Sequence, residues 1–244
     1  MAAGKPQTSV SPDLSHIDSW VFDLDNTLYP AACDLFAGID ERIGAYVSRV
    51  LSLPRDEARV VQKRLYAQYG TTLNGLMTEH NLAPDDFLDF VHDIDLSPLD
   101  RVPDLAPALA ALPGKRFIFT NGSHNHAERV MGRLKIDHLF DDIVDIRASN
   151  FTPKHIAASY DRFLARTSVD PKSAAMFEDL ARNLEPAHAL GFTTILVRSA
   201  KDWSHEPAAA RPAGLDDHPP HVHHVADGLP QFLGTLKVKP VAKP

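Results

Sequence analysis

Ser19-Trp20-Val21-Phe22-Asp23-Leu24-Asp25-Asn26-Thr27-Leu28-Tyr29 is the stretch that decides the fold. Trp20, Val21 and Phe22 form a short apolar run that stops at two aspartates spaced i and i+2. A run this short, bounded by polar turn formers, reads as a buried strand. In open α/β sheets, ligands gather outside the carboxyl ends of the strands. The residues that follow each such run are therefore the ones to read.

Five further runs have the same character: Phe117–Phe119, Ile143–Ile146, Ala174–Phe177, Thr193–Val197 and Val222–Val225. Helix-period stretches lie between most of them, at Glu128–Leu134, Ile156–Leu164 and Leu184–Leu190, the last closed by Gly191. Strands alternating with helices predict an α/β fold with an open parallel sheet. Residues 32–99 break the alternation. Leu35, Ile39, Ile43, Val47 and Val50 recur at helical spacing, a second helix follows Pro54 and stops at Gly70, and Pro84 opens a third. The expected organisation is a core made of 16–31 and 100–244, with 32–99 inserted after the first strand as a helical unit. Residues 1–15, polar and proline-bearing, read as a disordered leader. The tail after Lys201 is expected to loop over the surface before a last strand and a short helix over Leu229–Leu236.

The chain has 244 residues and a formal net charge of -7, without the basic excess that backbone binding to nucleic acid calls for. No apolar run reaches the roughly 20 residues of a membrane span. The single cysteine, Cys33, cannot form an internal disulfide and suits a reducing cytoplasm. Nothing in the sequence fixes an oligomeric state.

The strand ends carry a consistent inventory. Asp23 and Asp25 follow the first strand, and Thr120-Asn121-Gly122 the second. Lys154 precedes the helix near Ile156, and Glu178-Asp179 closes the fourth. Each piece alone is ordinary turn or helix-start chemistry. Together they suit phosphoryl transfer, in which the charge on the phosphate oxygens must be neutralised before a nucleophile can approach. Magnesium, a hard cation, would take Asp23, Asp179 and the backbone carbonyl of Asp25, with Glu178 as a further possible ligand. Lys154 would neutralise nucleophile and phosphate, and Thr120, with Asn121 and Gly122, would hold phosphate oxygens. Asp23 would attack to give an aspartyl-phosphate, and Asp25 would serve as general acid and then general base.

In this order the motifs resemble those of haloacid dehalogenase superfamily phosphatases. Asp23–Tyr29 is similar to motif I, Thr120–Gly122 to motif II, Lys154 to the motif III lysine, and Glu178-Asp179 to motif IV. The form Asp-Leu-Asp-Asn-Thr-Leu-Tyr resembles the pyrimidine 5′-nucleotidase branch, as do Tyr69–Leu76 and His126–Phe140. The likeness spans Ser19 to Val197 and implies a Rossmann-like core, a helical cap after motif I, and magnesium. Two features depart from it: Glu-Asp stands where many members of the branch have Asp-Asp, and His155 and Leu180 replace an expected proline and serine.

A pyrimidine nucleoside 5′-monophosphate is the expected substrate. Tyr29, Tyr69, Thr72, Asn74 and Arg64 are the expected contacts to its base and sugar. The alternatives are another small phosphometabolite, such as a sugar phosphate, and a catalytically silent binding protein of the same fold. A silent member would be expected to lack one of Asp23, Asp25, Lys154 and Asp179, and all four are present. A dehalogenase would need the nucleophile alone, so Asp25 argues against it. His218, His221, His223 and His224 lie close together without a Cys or paired acid to complete a transition-metal set.

Overall fold

In the computed structural model, which describes residues 11–204, 206 and 211–240, Trp20–Phe22 lies in a central strand, β1 (Ser19–Phe22). The chain continues through α1 (Leu35–Leu51), α2 (Arg55–Tyr69), α3 (Thr72–His80), α4 (Pro84–His92) and α5 (Ala106–Ala110). The alternating part follows: β2 (Lys115–Phe119), α6 (His124–Leu134), β3 (Asp142–Val144), α7 (Ala157–Thr167), β4 (Ala174–Glu178), α8 (Ala181–Leu190), β5 (Thr193–Val197), β6 (His224–Ala226) and α9 (Leu229–Thr235). Among the described residues the sheet has six parallel strands in the order β3-β2-β1-β4-β5-β6. The order reverses between β1 and β4, and a crevice at such a switch point is where α/β sheets bind ligands.

The period-2 side-chain alternation of the strands builds two cores, one on each face. Trp20, Phe22, Ile118, Phe177 and Ile195 face one, under α5, α6 and α9. Val21, Phe117, Phe119, Met176 and Leu196 face the other, under α7 and α8. Phe22 and Phe177 stack across the β1–β4 pair with ring centroids 4.6 Å apart, directly beneath the switch point. Losing either ring to alanine would cost about 3–5 kcal/mol, so the floor of the crevice is rigid.

The insert between β1 and β2 folds around a third core. Tyr46, Val47, Leu65, Leu76, Phe87 and Val91 make it, joined by Ile146 from the loop after β3. Helix α3, absent from the sequence reading, starts at Thr71, whose side chain accepts a hydrogen bond from the Asn74 amide at 3.1 Å. Gly70 ends α2 at φ 81°, and a Cβ there would lie 2.1 Å from the His155 ring. The glycine thus lets the insert seat against the Pro153–His155 segment.

Three expectations need correction. Within the supposed leader, Leu14 is buried and residues 12–14 bond to Lys237, because Leu14 and Ile17 complete the core near α9; residues 1–10 lie outside the described set. The last strand begins at His224, not Val222. The tail after Lys201 is not merely superficial, since Trp203 is buried and Lys201, Trp203 and Glu206 reach the main cavity. Among the described residues no helix is long and apolar enough to cross a membrane.

Candidate active site

The nucleophile loop begins while the chain is still in the sheet: the Asp23 amide donates to the Phe177 carbonyl of β4 at 2.9 Å. The chain then turns. Leu24 accepts from the Leu28 amide, and Asn26 adopts φ 60°, a left-handed conformation that asparagine tolerates better than most residues. This turn lets the side chains of Asp23 and Asp25 approach one point from different directions, which a continuous strand would forbid.

Lys154 arrives on the loop after β3, which doubles back through left-handed Asn150 and Phe151. Its backbone amide donates to the Asn121 side-chain oxygen at 3.1 Å, tying this loop to the end of β2. Its ammonium group, buried to 2% exposure, contacts Asp23 Oδ1 and Glu178 Oε2, the latter at 2.5 Å. The other Glu178 carboxylate oxygen accepts the Leu180 amide at 3.2 Å. The acid expected as a possible metal ligand is also the lysine's second anchor, and it stays within the carboxylate cluster. Thr120 Oγ1 accepts from the Gly122 amide at 2.9 Å, which leaves its hydroxyl hydrogen to donate elsewhere. The Gly122 amide is therefore spoken for, and its lack of a side chain is the property the site uses. A Cβ there would lie 3.3 Å from Thr120 Oγ1 and 3.7 Å from Asp25 Oδ2.

Asp23, Glu178 and Asp179 are all buried, with one oxygen from each within 4.8 Å of the others. Three carboxylates against one ammonium leave two negative charges without a counter-charge. Burial, then Glu178, pushes the Asp23 carboxyl up to about 7 despite the opposing pull of Lys154. Burial, then Glu178 and Asp23, raises Asp179 well above the usual carboxylate range. For Lys154 burial disfavours the charged form, but Asp23 and Glu178 outweigh it, so the ammonium is held charged. The cluster is short of positive charge. One further side chain points the same way: Asn183, one helical turn after Asp179, is 1% exposed, lines the cavity, and has neither amide atom hydrogen-bonded. Hard oxygen donors, two surplus negative charges and an orphaned amide fit a hydrated divalent cation.

Asp25 behaves differently. Burial acts to raise its pKa, but His126, followed by Tyr29, lowers it below the usual value. Tyr29 donates to Asp25 Oδ1 at 2.6 Å and His126 Nε2 meets the same oxygen at 2.8 Å. His92, the last residue of α4, stacks on His126 with centroids 4.4 Å apart and rings inclined 12°. Burial, then His126, pushes His92 down to about 3, so it is neutral.

Above these groups opens a cavity of about 580 Å³, within the range of small-molecule sites. Its wall includes Arg59, Gln62, Lys63 and Tyr66 of α2, and Lys201 and Trp203 of the tail. Of the five substrate contacts expected from sequence, Thr72 lines it, yet its hydroxyl donates to the Gln62 carbonyl at 3.2 Å. The other four do not line it. Tyr29 is buried beneath Asp25, and Arg64 is exposed in a two-bond pairing with Glu79 at 2.7 Å. Asn74 donates to the Tyr69 carbonyl at 3.1 Å, and the Tyr69 hydroxyl accepts from Gln68. Helical periodicity alone did not show which face of α2 and α3 turns to the cavity. Two of the histidines near the C-terminus make structural contacts: His221 Nε2 meets the Ala181 carbonyl, and His223 Nδ1 meets Thr194.

The family model for haloacid dehalogenase-like hydrolases matches residues 17–191, most of the chain. The chain belongs to that family. It is 32% identical over 134 residues to Phosphate metabolism protein 8 of Saccharomyces cerevisiae, a match covering 50% of this chain and 41% of that protein. Among solved structures it resembles L-2-haloacid dehalogenase from Xanthobacter autotrophicus, with TM-score 0.53, 17% identity and coverage of 89% and 97% of the two chains. It also resembles a haloacid dehalogenase-like family hydrolase from Streptococcus pneumoniae, with TM-score 0.56, 17% identity and coverage of 90% and 98%. The magnesium-bound HAD-hydrolase YfnB from Bacillus subtilis matches with TM-score 0.55, 11% identity and coverage of 89% and 97%. At these identities the structural matches establish the fold.

Proposed function

We propose that the chain is a magnesium-dependent phosphomonoester hydrolase. The carrying observation is the buried convergence of Asp23, Lys154 and Asp179 at the sheet's switch point, with Thr120 and an anchored Asp25 beside them. Asp23, Asp179 and the Asp25 backbone carbonyl would hold magnesium, which when bound adds positive charge beside the phosphate oxygens. Asp23 is aimed by Lys154 and attacks phosphorus to form an aspartyl-phosphate. Thr120 donates to a phosphate oxygen and the Lys154 ammonium offsets the negative charge. Asp25 protonates the departing oxygen and then takes a proton from the water that releases phosphate. The helices α1–α4 act as a cap over this reaction and exclude bulk water. A dehalogenase, like the Xanthobacter autotrophicus neighbour, would need neither the cation site nor Asp25.

Within this class we propose a pyrimidine nucleoside 5′-monophosphate as substrate, in a reducing cytoplasm. The likeness of Asp23–Tyr29 and Tyr69–Leu76 to the nucleotidase branch supports this, as does the cavity's volume. The test is phosphate release from UMP, CMP, AMP, GMP and glucose 6-phosphate, with magnesium and with EDTA. EDTA should abolish turnover and magnesium restore it, with kcat/KM highest for UMP and CMP. Full turnover without metal would remove the assignment. Preference for the sugar phosphate would remove the nucleotide alone.

A further inference from the structure

Asp25 is the acid the reaction needs, and its two oxygens are not equivalent. Oδ1 accepts the Tyr29 hydroxyl at 2.6 Å and faces His126 Nε2 at 2.8 Å. His126 is buried and its Nδ1 has no hydrogen-bond partner, so Nε2 is the nitrogen that donates, to the carboxylate. With two donors on Oδ1, a proton carried by Asp25 sits on Oδ2. That oxygen lies toward Gly122, on the side of Thr120 Oγ1. The arrangement is tied down in turn. Ser123 caps α6 by accepting the His126 amide at 3.3 Å, and its hydroxyl contacts Nδ1 of His92 at 3.0 Å. His92 belongs to the insert and lies flat on the His126 ring.

We propose that His126 and Tyr29 are positioning residues for the general acid, fixing Asp25 so that Oδ2 presents the proton to the leaving oxygen, and that His92 ties this geometry to the seating of the insert. The inference rests on the phosphatase reading. As the bond from Asp23 to phosphorus forms, the bond from phosphorus to the leaving oxygen breaks. Asp25, a carboxylate before substrate binds, takes its proton onto Oδ2 from the phosphate monoanion of the substrate; that proton passes to the leaving oxygen, Asp25 returns to a carboxylate, and nothing is oxidised or reduced. The carboxylate so formed is the species that two donors on Oδ1 stabilise.

The test separates positioning from packing by the basicity of the leaving group. The full chain with magnesium is assayed on p-nitrophenyl, phenyl and benzyl phosphate, probes of similar shape whose leaving oxygens are increasingly basic. The constant read is kcat/KM, which stops at leaving-group departure and so excludes the later hydrolysis of the aspartyl-phosphate. A nitrophenolate leaves without a proton, whereas a benzyl alkoxide needs one. His126→Ala should lower kcat/KM about 3-fold on p-nitrophenyl phosphate and about 100-fold on benzyl phosphate, the low end of a general-acid contribution. His126→Gln, whose amide can donate to Oδ1, should recover most of the loss on benzyl phosphate. Tyr29→Phe keeps the packing and should show the same leaving-group dependence at smaller size, so the test survives if His126→Ala fails to fold. His92→Ala should fall between. Equal losses on all three probes, or a Gln variant as impaired as Ala, would overturn the inference while leaving the phosphatase reading intact. A wild type inactive on all three would overturn both.

Discussion

The rim of the sheet and the insert above it use polar side chains in opposite ways. On the rim, partners come from far apart: Lys154 meets Asp23 across 131 residues of sequence and His126 meets Asp25 across 101. On the outer face of α2 and α3 in the insert they are close. Arg64 pairs with Glu79 15 residues away, and Asn74 with Tyr69 only 5 away. Burial divides the same way, since Lys154 is 2% exposed whereas Arg64 is an exposed residue. Burying charge is costly unless it is paired, so a buried charge cluster assembled from distant strand ends implies a use for it. Exposed pairs such as Arg64–Glu79, which join α2 to α3, hold neighbouring helices together and need no other explanation.

The largest effect that would break this contrast comes from Lys154. Replacing it by methionine keeps much of its length and leaves Asp23 and Glu178 buried without their shared cation. Removing one partner of a buried pair costs about 3–5 kcal/mol. In a chain of this size that corresponds to a fall in Tm of about 6–20 °C. Calorimetry of Lys154→Met should show this together with loss of phosphate release. A variant within about 2 °C of wild type would mean that the rim charges are not a coupled cluster.

The rim was legible from sequence because topology does the placing. Once Trp20–Phe22 and Ala174–Phe177 are recognised as parallel strands, Asp23 and Asp179 must emerge at the same edge, whatever the details of packing. Lys154 was legible from its order in the chain, although the left-handed turn at Asn150 and Phe151 that delivers it was not. The role of Glu178 was not legible either, since pairing to a lysine and ligation of a cation ask for the same carboxylate at the same strand end. Asn183 had a signal in its place one helical turn after Asp179. His126 had one in its place in the first turn after the Thr120 loop. In the insert, four short helices each offer several faces, and the face that meets the cavity depends on how the helices pack against one another. Asn74 of α3 and Arg64 and Tyr69 of α2 do not line the cavity, while Arg59, Lys63 and Tyr66, also of α2, do.

Lys63 sharpens the contrast, because it is the insert residue that behaves most like the rim. Its ammonium bridges Asp40 at 2.8 Å and Glu206 at 2.7 Å, joining the insert to the tail at the cavity wall. A polar leaving group in the cavity would compete with Asp40 and Glu206 for this ammonium, whereas p-nitrophenyl phosphate would not. A charge-assisted hydrogen bond contributes roughly 1.5–3 kcal/mol, so Lys63→Ala should lower kcat/KM on the preferred nucleotide about 10-fold or more relative to p-nitrophenyl phosphate. A change of equal size on both substrates would assign Lys63 to holding the insert in place.

The smallest effect is expected at Asn74, and it discriminates because the sequence-based reading favoured that residue for substrate contact. Its side-chain amide donates to the Tyr69 carbonyl and its backbone amide is held by Thr71, so it joins the end of α2 to the start of α3. Asn74→Ala removes the first bond and leaves the second, because the Thr71 cap uses the backbone. A side chain to backbone hydrogen bond contributes about 0.5–1.5 kcal/mol, which in a chain of this length lowers Tm by about 1–6 °C. The ratio of kcat/KM for UMP to that for p-nitrophenyl phosphate should not move, because Asn74 does not line the cavity and its amide is already engaged with the backbone. A fall in that ratio at unchanged Tm would put Asn74 against the substrate and require the insert to adopt another packing when substrate is bound. A fall in Tm at unchanged ratio would place the residue where the geometry does, in the joint between two helices.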